Sequence, residues 1–266
     1  MCYMNTAYKI MGIINVTPDS FWQGSRLIVP GGNILDNVKK RILSAVQEGA
    51  HILDIGACST RPGAEPCSEQ EEWERLYVAI EILRSSDLGS VEFSFDTFRA
   101  SVAHRVLEYF PNAIINDVSG GNKEMYSLLS LFPQSRYVLT FAEDITAVDH
   151  AEIIDSLYNY FDTSIAEISR LSGPDALPRI ILDPGFGFGK TIEQNIFIFN
   201  NLSEIVKRYQ SYNILVGISR KSMIYKPLGL TPNQVLPQTL NMNKQAIQAG
   251  ASIIRVHDIA AHKSLF

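Results

Sequence analysis

The sequence has few cysteines, no excess of positive charge and no long apolar run, and each lack excludes a class of protein. Its 266 residues include three cysteines, none of them in a C-x-x-C pair, so neither a disulfide scaffold nor a zinc module with that spacing is indicated. The formal net charge is −5, which gives no general attraction for a nucleic-acid backbone, although a few local cations can still bind an anionic substrate. No apolar run approaches the roughly 18 residues that a membrane span requires.

The N-terminus and the composition indicate a soluble protein with one core. Residues 1–15 lack the basic segment and long apolar stretch of a secretory signal, and sparse cysteine is typical of a reducing compartment. Hydrophobic residues make up 46% and charged residues 19%, a globular balance with enough material for a large core. No Pro-, Gly- or Ser-rich linker divides the chain, so we expect a cytoplasmic protein with a single domain over residues 1–266.

Short apolar runs rich in β-branched residues alternate with longer helical patterns from end to end. The eight runs that predict strands are Tyr8–Asn15, His51–Ile55, Val91–Asp96, Ala113–Asp117, Tyr137–Phe141, Ile180–Asp183, Ile214–Gly217 and Ser252–Val256. Most are continuously apolar, as expected for parallel strands covered on both faces, and capping boxes at Ser68–Glu71 and Thr191–Gln194 predict two helix starts. Eight βα units in about 250 residues favour the α/β class and a single (β/α)8 TIM barrel. A doubly wound open sheet is the alternative.

Polar residues stand where seven of the eight predicted strands end. They are Asn15, Asp54, Asp96, Asn116, Asp183, Ser219 and Arg255. One such residue is readily explained as a helix cap or a turn former. In a barrel, however, the carboxyl ends of all strands share one rim, where catalytic groups sit. The pattern therefore predicts a polar site at that rim.

Six longer motifs resemble those of the dihydropteroate synthases and follow the order that they have in that family. The motifs are Met11–Phe21, Asp54–Ala64, Ile114–Gly121, Asp183–Lys190, Ser219–Ser222 and Arg255–Asp258. The resemblance implies a transferase that condenses 6-hydroxymethyl-7,8-dihydropterin diphosphate with 4-aminobenzoate, releasing diphosphate and forming 7,8-dihydropteroate. It also implies a homodimer with small-molecule substrates. Neither a nucleic acid nor a membrane is expected as a partner.

The resemblance assigns the pterin ring to four polar residues and one aromatic residue. Asp183 accepts the ring N–H and amine donors, which a carboxylate can do bidentately, and Asn116 lies beside it. Lys221 donates to the pterin carbonyl and ring nitrogen, and Phe188 lies alongside the ring. Asp96 stabilises cationic character on the pterin as its C–O bond breaks.

The diphosphate is assigned to Arg255 and His257, which are two positions apart in sequence and therefore share one side of a strand. Asn15 is assigned to Mg²⁺, the expected cofactor, since this ion binds few protein oxygens and keeps several waters. The residues expected to act in catalysis are Asp96, Lys221, Arg255 and His257.

The 4-aminobenzoate pocket is assigned to Thr60, Arg61 and Pro62, with further contacts from Ser219 and Arg220. An aromatic amine is neutral at pH 7 and can attack without a strong base. We therefore expect an SN1-like substitution, in which diphosphate leaves before the amine captures the pterin-methyl cation.

Two segments depart from patterns that they partly match. Residues Gly185–Thr191 look like a phosphate loop, but Pro184 stands where the first glycine of that motif belongs. After the fifth strand, Thr140 stands near the position of the methionine that lies beneath the pterin in the family. Two alternatives therefore stay open: a methyltetrahydrofolate:corrinoid methyltransferase, and a pterin-binding paralogue without turnover.

Overall fold

The structure, a computed structural model, describes residues 8–16, 34–58 and 67–265. In these residues eight parallel strands close into a barrel, in which each strand pairs with the next in sequence and the eighth pairs with the first. The strands are β1 (Lys9–Asn15), β2 (Ile52–Gly56), β3 (Glu92–Asp96), β4 (Ile114–Asp117), β5 (Arg136–Thr140), β6 (Ile180–Asp183), β7 (Asn213–Val216) and β8 (Ile253–Val256). The predicted TIM barrel is confirmed, and the open-sheet alternative is wrong.

Helices follow the strands, and both predicted capping boxes form. Ser68 and Glu71 bond each other's backbone N–H groups at the start of α2, and Thr191 and Gln194 do so at the start of α6. The helices are α1 (Ile34–Glu48), α2 (Glu69–Ser85), α3 (Ala100–Tyr109), α4 (Lys123–Leu131), α5 (Ile153–Ser172), α6 (Ile192–Asn200), α7 (Leu202–Arg208), α8 (Ser222–Tyr225), α9 (Leu236–Gln248) and α10 (Ile259–His262), and two 3₁₀ segments (His150–Glu152 and Pro174–Arg179) flank α5. Within the described ranges no helix is long and apolar enough to cross a bilayer.

Each strand is covered on both faces, which explains its continuous apolar sequence. One set of side chains packs outward in the main core beneath the helices, as Ile55, Phe95 and Leu139 do. The alternate set points into the barrel, where a separate apolar cluster fills the middle. That inner cluster takes one residue from each of seven strands: Met11, Ile52, Ile114, Val138, Ile181, Leu215 and Ile253.

The barrel interior is polar on both sides of the inner cluster. Near the amino ends of the strands, Glu92 forms ion pairs with both Lys9 and Arg136. Side chains two residues apart on a strand share a face, so the next inward position lies two residues after each residue of the inner cluster. Toward the carboxyl ends, that position is polar in several strands. The inner cluster therefore separates a structural ion network at one end from the rim at the other.

Candidate active site

Five polar side chains occupy the inward position that follows the inner cluster toward the rim. Each stands two residues after a member of that cluster. They are Asp54, Asn116, Thr140, Asp183 and Arg255. Asp96 belongs to the same group, because it pairs in register with Asn116. The barrel thereby brings together side chains as far as 201 positions apart in sequence.

Arg255 is the centre of the charged contacts at the rim. Its Nε donates to Asp54 Oδ2 at 2.6 Å and its Nη2 donates to Asp96 Oδ2 at 2.6 Å. Asp54 also accepts from Ser94 Oγ at 2.6 Å and from Asn116 Nδ2 at 3.2 Å. Burial opposes the charge of Arg255, but the two carboxylates raise its pKa above the ordinary value. The guanidinium is therefore a fixed positive charge in this site.

The strand pattern predicted Asp54 at the rim, but no specific role for its side chain followed from the sequence. Its side chain is fully buried, and it accepts hydrogen bonds from three different strands through Ser94, Asn116 and Arg255. The signal for its burial is a carboxylate two residues after Ile52 in a strand whose other residues are apolar. Such a residue must face either the barrel interior or the helices, and in both places a carboxylate needs partners.

Asp96 is buried close to a second carboxylate. Burial raises the pKa of Asp96 to about 7, Arg255 opposes that rise, and Asp54 adds to it. The charge of Asp96 therefore changes near neutral pH, whereas the guanidinium beside it stays charged.

Asp183 and Lys221 interact at the ends of β6 and β7. Asp183 Oδ1 accepts the backbone N–H of Gly185 at 2.8 Å; burial raises its pKa, and Lys221 opposes the shift. The Lys221 ammonium donates to the Phe186 carbonyl and lies 4.6 Å from the centroid of the Phe188 ring. Burial lowers the pKa of Lys221 to about 8, and Asp183 opposes that change. A carboxylate, an ammonium and an aromatic ring thus lie together.

Two buried oxygen atoms at the rim have no hydrogen-bond partner among the described residues. They are Asn116 Oδ1 and Thr140 Oγ1. Thr140 pairs in register with Asp183, so the residue near the family's methionine position lies beside the buried carboxylate. Buried polar atoms rarely stay unpaired, and a bound molecule at the rim would supply partners for both.

The glycine-rich segment after β6 packs against the end of β5. Gly185 has a φ of +70°, and a Cβ at this position would overlap the carbonyl oxygen of Phe141. Lys190 donates to three backbone carbonyls, at 2.6 Å to Phe141, 2.8 Å to Phe188 and 3.1 Å to Gly185. Burial lowers the pKa of Lys190 to about 7. Lys190 therefore joins this loop to β5, and its hydrogen bonds go to backbone carbonyls.

Ser219, Arg220 and His257 lie just after β7 and β8. Ser219 Oγ lies 3.1 Å from His257 Nδ1 and accepts the backbone N–H of His257 at 3.3 Å. Arg220 forms a bidentate ion pair with Asp258, at 2.6 and 3.0 Å, and donates to Asn233. Ser219 and His257 are thus brought together, whereas Arg220 is directed toward Asp258.

Asn15 ends β1 near Asp96. A Cβ at Gly56 would lie 3.6 Å from Asn15 Oδ1 and 3.4 Å from Asp96 Cβ, so the missing side chain of Gly56 leaves room between the two. The side-chain oxygen of Asn15 borders this space, and an amide oxygen is a hard donor of the kind that Mg²⁺ takes. Asn15 therefore fits the expected ion. One predicted set lies outside the described residues: Thr60, Arg61 and Pro62.

Comparison with known proteins points to one family. A family described as pterin binding enzyme matches residues 11–257. A dihydropteroate synthase of Synechocystis sp. is 38% identical over 263 residues, covering 95% of this chain and 86% of the relative. The crystal structure of a dihydropteroate synthase from Clostridium difficile, in the presence of pteroic acid, has a TM-score of 0.86 at 34% identity and covers 100% of this chain and 96% of that one. A synthase of Xanthomonas albilineans with 4-aminobenzoic acid has a TM-score of 0.84 at 28% identity, covering 97% and 91%.

These similarities extend over nearly the whole chain and favour a synthase over both alternatives, the corrinoid methyltransferase and the paralogue without turnover. The chain therefore belongs to the pterin-binding enzyme family, among the dihydropteroate synthases, which are transferases of folate biosynthesis.

Proposed function

We propose that this chain joins 6-hydroxymethyl-7,8-dihydropterin diphosphate to the amine of 4-aminobenzoate, forming 7,8-dihydropteroate and diphosphate. The observation that carries the proposal is the rim cluster, in which Asp183 and Asn116 share the inward layer with the ion-paired Arg255. The cluster combines acceptors for a pterin with cations for a diphosphate. Two related structures add support, since one synthase was crystallised in the presence of pteroic acid and another with 4-aminobenzoic acid.

Asp183, Asn116 and Lys221 would bind the pterin. An ionised Asp183 accepts the adjacent ring N–H and exocyclic amine donors, and the nearby Lys221 ammonium favours that ionised form. The unpaired Asn116 Oδ1 is a further acceptor. Lys221 turns its ammonium to the pterin carbonyl and ring nitrogen, with Phe188 beside the ring.

Bond cleavage would place opposite charges on the two products. The C–O bond breaks with its electron pair leaving on the diphosphate, so the pterin methylene becomes cationic. The Asp96 carboxylate stabilises that cation. Arg255 uses only its Nε and Nη2 for Asp54 and Asp96, and a guanidinium has five N–H donors. The remaining donors, together with His257, bind the departing diphosphate.

The neutral amine of 4-aminobenzoate would then capture the cation and lose a proton, without a dedicated strong base. We assign its pocket to Thr60, Arg61 and Pro62, with Ser219 and Arg220 near the benzoate. Arg220 forms an ion pair with Asp258. To bind the benzoate, Arg220 must share this ion pair or leave it.

Asn15 would hold Mg²⁺ through its side-chain oxygen. When bound, the ion would neutralise part of the diphosphate charge, with water and phosphate oxygens as its other ligands. The space beside Gly56, between Asn15 and Asp96, supports this assignment.

The test is product formation by the purified full chain with both substrates and Mg²⁺, followed by chromatography and mass spectrometry. Dihydropteroate and diphosphate should appear in equal amounts when both substrates are present, and no dihydropteroate should form when 4-aminobenzoate is omitted. Tight pterin binding without dihydropteroate would indicate the non-catalytic paralogue. Methyl transfer from methyltetrahydrofolate to a corrinoid would indicate the other alternative.

The family resemblance also supports a cytoplasmic homodimer with one domain per chain. Light scattering of the purified protein should give twice the mass of the chain, and thermal unfolding should show one cooperative transition. A monomer, or two separate transitions, would contradict this part of the proposal.

A further inference from the structure

Two thiols and a carboxylate meet outside the rim site, at the start of α2. Cys58 follows β2, Cys67 precedes the capping box of α2, and Glu72 lies in the first turn of that helix. The two Sγ atoms and one carboxylate oxygen of Glu72 all lie within 4.8 Å of one another. The cysteines are 9 positions apart, so their spacing along the chain did not indicate a shared site.

Glu72 has a free oxygen in a buried place. Its side chain is fully buried, and its Oε2 forms an ion pair with Arg99. Its Oε1 has no hydrogen-bond partner among the residues that the structure describes. Leaving a buried carboxylate oxygen unpaired is costly, and a cation would remove that cost. Arg99 meanwhile fixes the orientation of the carboxylate, as hydrogen-bond partners behind metal ligands do.

The thiols of Cys58 and Cys67 contact each other, and Cys58 also contacts Arg99. The backbone N–H of Cys67 donates to Cys58 Sγ at 3.2 Å, and Cys67 Sγ lies 3.8 Å from the Ala57 carbonyl oxygen. Arg99 donates to the carbonyl oxygen of Cys67 at 2.6 Å, which fixes the backbone at this point. A metal ion would replace the thiol protons and bind both sulfurs as thiolates.

We propose that Cys58, Cys67 and Glu72 form a site for one thiophilic divalent cation such as Zn²⁺. Their three negative charges would be balanced by the ion together with Arg99. Zinc binds sulfur at about 2.3 Å and carboxylate oxygen at about 2.0–2.2 Å in a tetrahedron, so small side-chain rotations bring the three atoms onto one ion, and water takes the fourth corner. The ion would join the end of β2 to the start of α2, since Cys58 precedes residues 59–66 and Cys67 follows them. It would take no part in the proposed reaction.

The test is a titration of the full chain, freed of metal by a chelator and reduced with a phosphine, with Co²⁺ as the spectroscopic probe. Binding at two thiolates gives a sulfur-to-cobalt charge-transfer absorption band. The band should saturate at one equivalent and disappear when Zn²⁺ is added. Absence of the band in the reduced wild-type protein would overturn the proposal. This result does not depend on whether any variant folds.

Variants assign the band to these residues. Cys58→Ser and Cys67→Ser should each weaken Co²⁺ binding at least tenfold and lower the band's intensity, because one thiolate is lost. Glu72→Gln should weaken binding but keep the band. Cys2→Ser, which removes the third cysteine, and Glu69→Gln, an exposed position in the same turn, are the controls and should bind as the wild type does. An unchanged band in Cys67→Ser would contradict the proposal. A protein that forms a Cys58–Cys67 disulfide when oxidised and binds no Co²⁺ when reduced would contradict it as well.

Discussion

A single guanidinium organises the charge at the barrel rim. Arg255 bonds both Asp54 and Asp96, two buried carboxylates that would otherwise repel each other in a low-dielectric interior. Removing one partner of such a buried network leaves the others uncompensated. The same arrangement keeps a positive charge at the mouth of the barrel, where an anionic leaving group must be stabilised.

Lys221 and Asp183 give the most direct residue-level prediction. Lys221→Ala removes the proposed donor to the pterin, and Asp183→Asn presents an amide N–H₂ where the ring requires an acceptor. Each change should lower turnover at least tenfold, about 1.4 kcal/mol of transition-state stabilisation. The measurement is kcat and KM for both substrates, with Lys226→Ala, an exposed lysine nearby in sequence, as the control. Wild-type kinetics in both rim variants would exclude the proposed pterin site.

The pKa values of Asp96 and Lys221 predict the pH dependence of the reaction. Asp96 acts as a carboxylate and its pKa is raised to about 7, so kcat/KM should rise as the pH increases through that value. Lys221 acts as an ammonium and its pKa is lowered to about 8, so kcat/KM should fall as the pH increases further. Together the two groups predict a narrow bell-shaped pH profile. The measurement is kcat/KM for the pterin diphosphate as a function of pH. Asp96→Asn should lose the acidic limb, whereas a flat wild-type profile across neutral pH would contradict both roles.

The sequence could predict which residues reach the rim better than which residues they bond. Asn116 and Asp183 end apolar strands, so their place follows from the strand pattern alone. The bonds from Arg255 to Asp54 and from Arg220 to Asp258 span 201 and 38 positions. Which partner each of these side chains bonds depends on the geometry of the closed barrel, and no local sequence pattern encodes it.

At the level of elements, the loop after β6 is built around a close approach of two backbones. Gly185 meets the Phe141 carbonyl, where there is no room for a Cβ, and its N–H orients Asp183. Lys190 then fastens the loop through three carbonyls. The position of the proposed pterin acceptor therefore depends on the loop as well as on the strand.

Gly185→Ala tests this close approach, with Gly89→Ala as a matched control. Both glycines have left-handed φ values, +70° and +63°, but a Cβ at Gly89 would meet nothing within 4 Å. Backbone strain alone should cost each variant about 1–2 kcal/mol. Gly185→Ala should lose more free energy of unfolding than the control, measured in urea, and should also lose turnover because Asp183 shifts. Equal destabilisation of the two variants would contradict the account of the loop.

Local chemistry explains why the elements were predictable. The capping boxes at Ser68 and Thr191 form as the sequence indicated, and each strand begins and ends close to its apolar run. What the pattern could not give is the packing of the glycine-rich loop against β5, which places a motif residue, Lys190, among backbone carbonyls.

At the scale of the whole molecule, different residues serve stability and catalysis: the inner cluster stabilises the barrel, and the rim holds the proposed site. Its seven apolar side chains fill the barrel, and polar rim residues such as Asp183 and Arg255 stand one inward position above them. Loops and rim residues can therefore differ between proteins with this fold while the barrel is retained. The departure at Thr140 lies at the rim level and leaves the inner cluster intact.

Ile181→Ala tests the inner cluster. Ile181 is 1% exposed and belongs to the cluster, so truncation should leave a cavity and lower the free energy of unfolding by about 2–5 kcal/mol. Ile196→Ala is the control, because that side chain is 37% exposed and its loss should cost well under 1 kcal/mol. Chemical denaturation measures both. A loss in Ile181→Ala no greater than in the control would show that the barrel interior does not carry the stability assigned to it.

A crystal structure of the full chain with the pterin diphosphate substrate and Mg²⁺ tests the central claim most directly. The pterin edge should lie within hydrogen-bonding distance of Asp183 and Asn116, with the Lys221 ammonium on its carbonyl side and the diphosphate against Arg255. A pterin bound elsewhere, or bound at the rim without contact to Asp183 and Lys221, would contradict the proposed site.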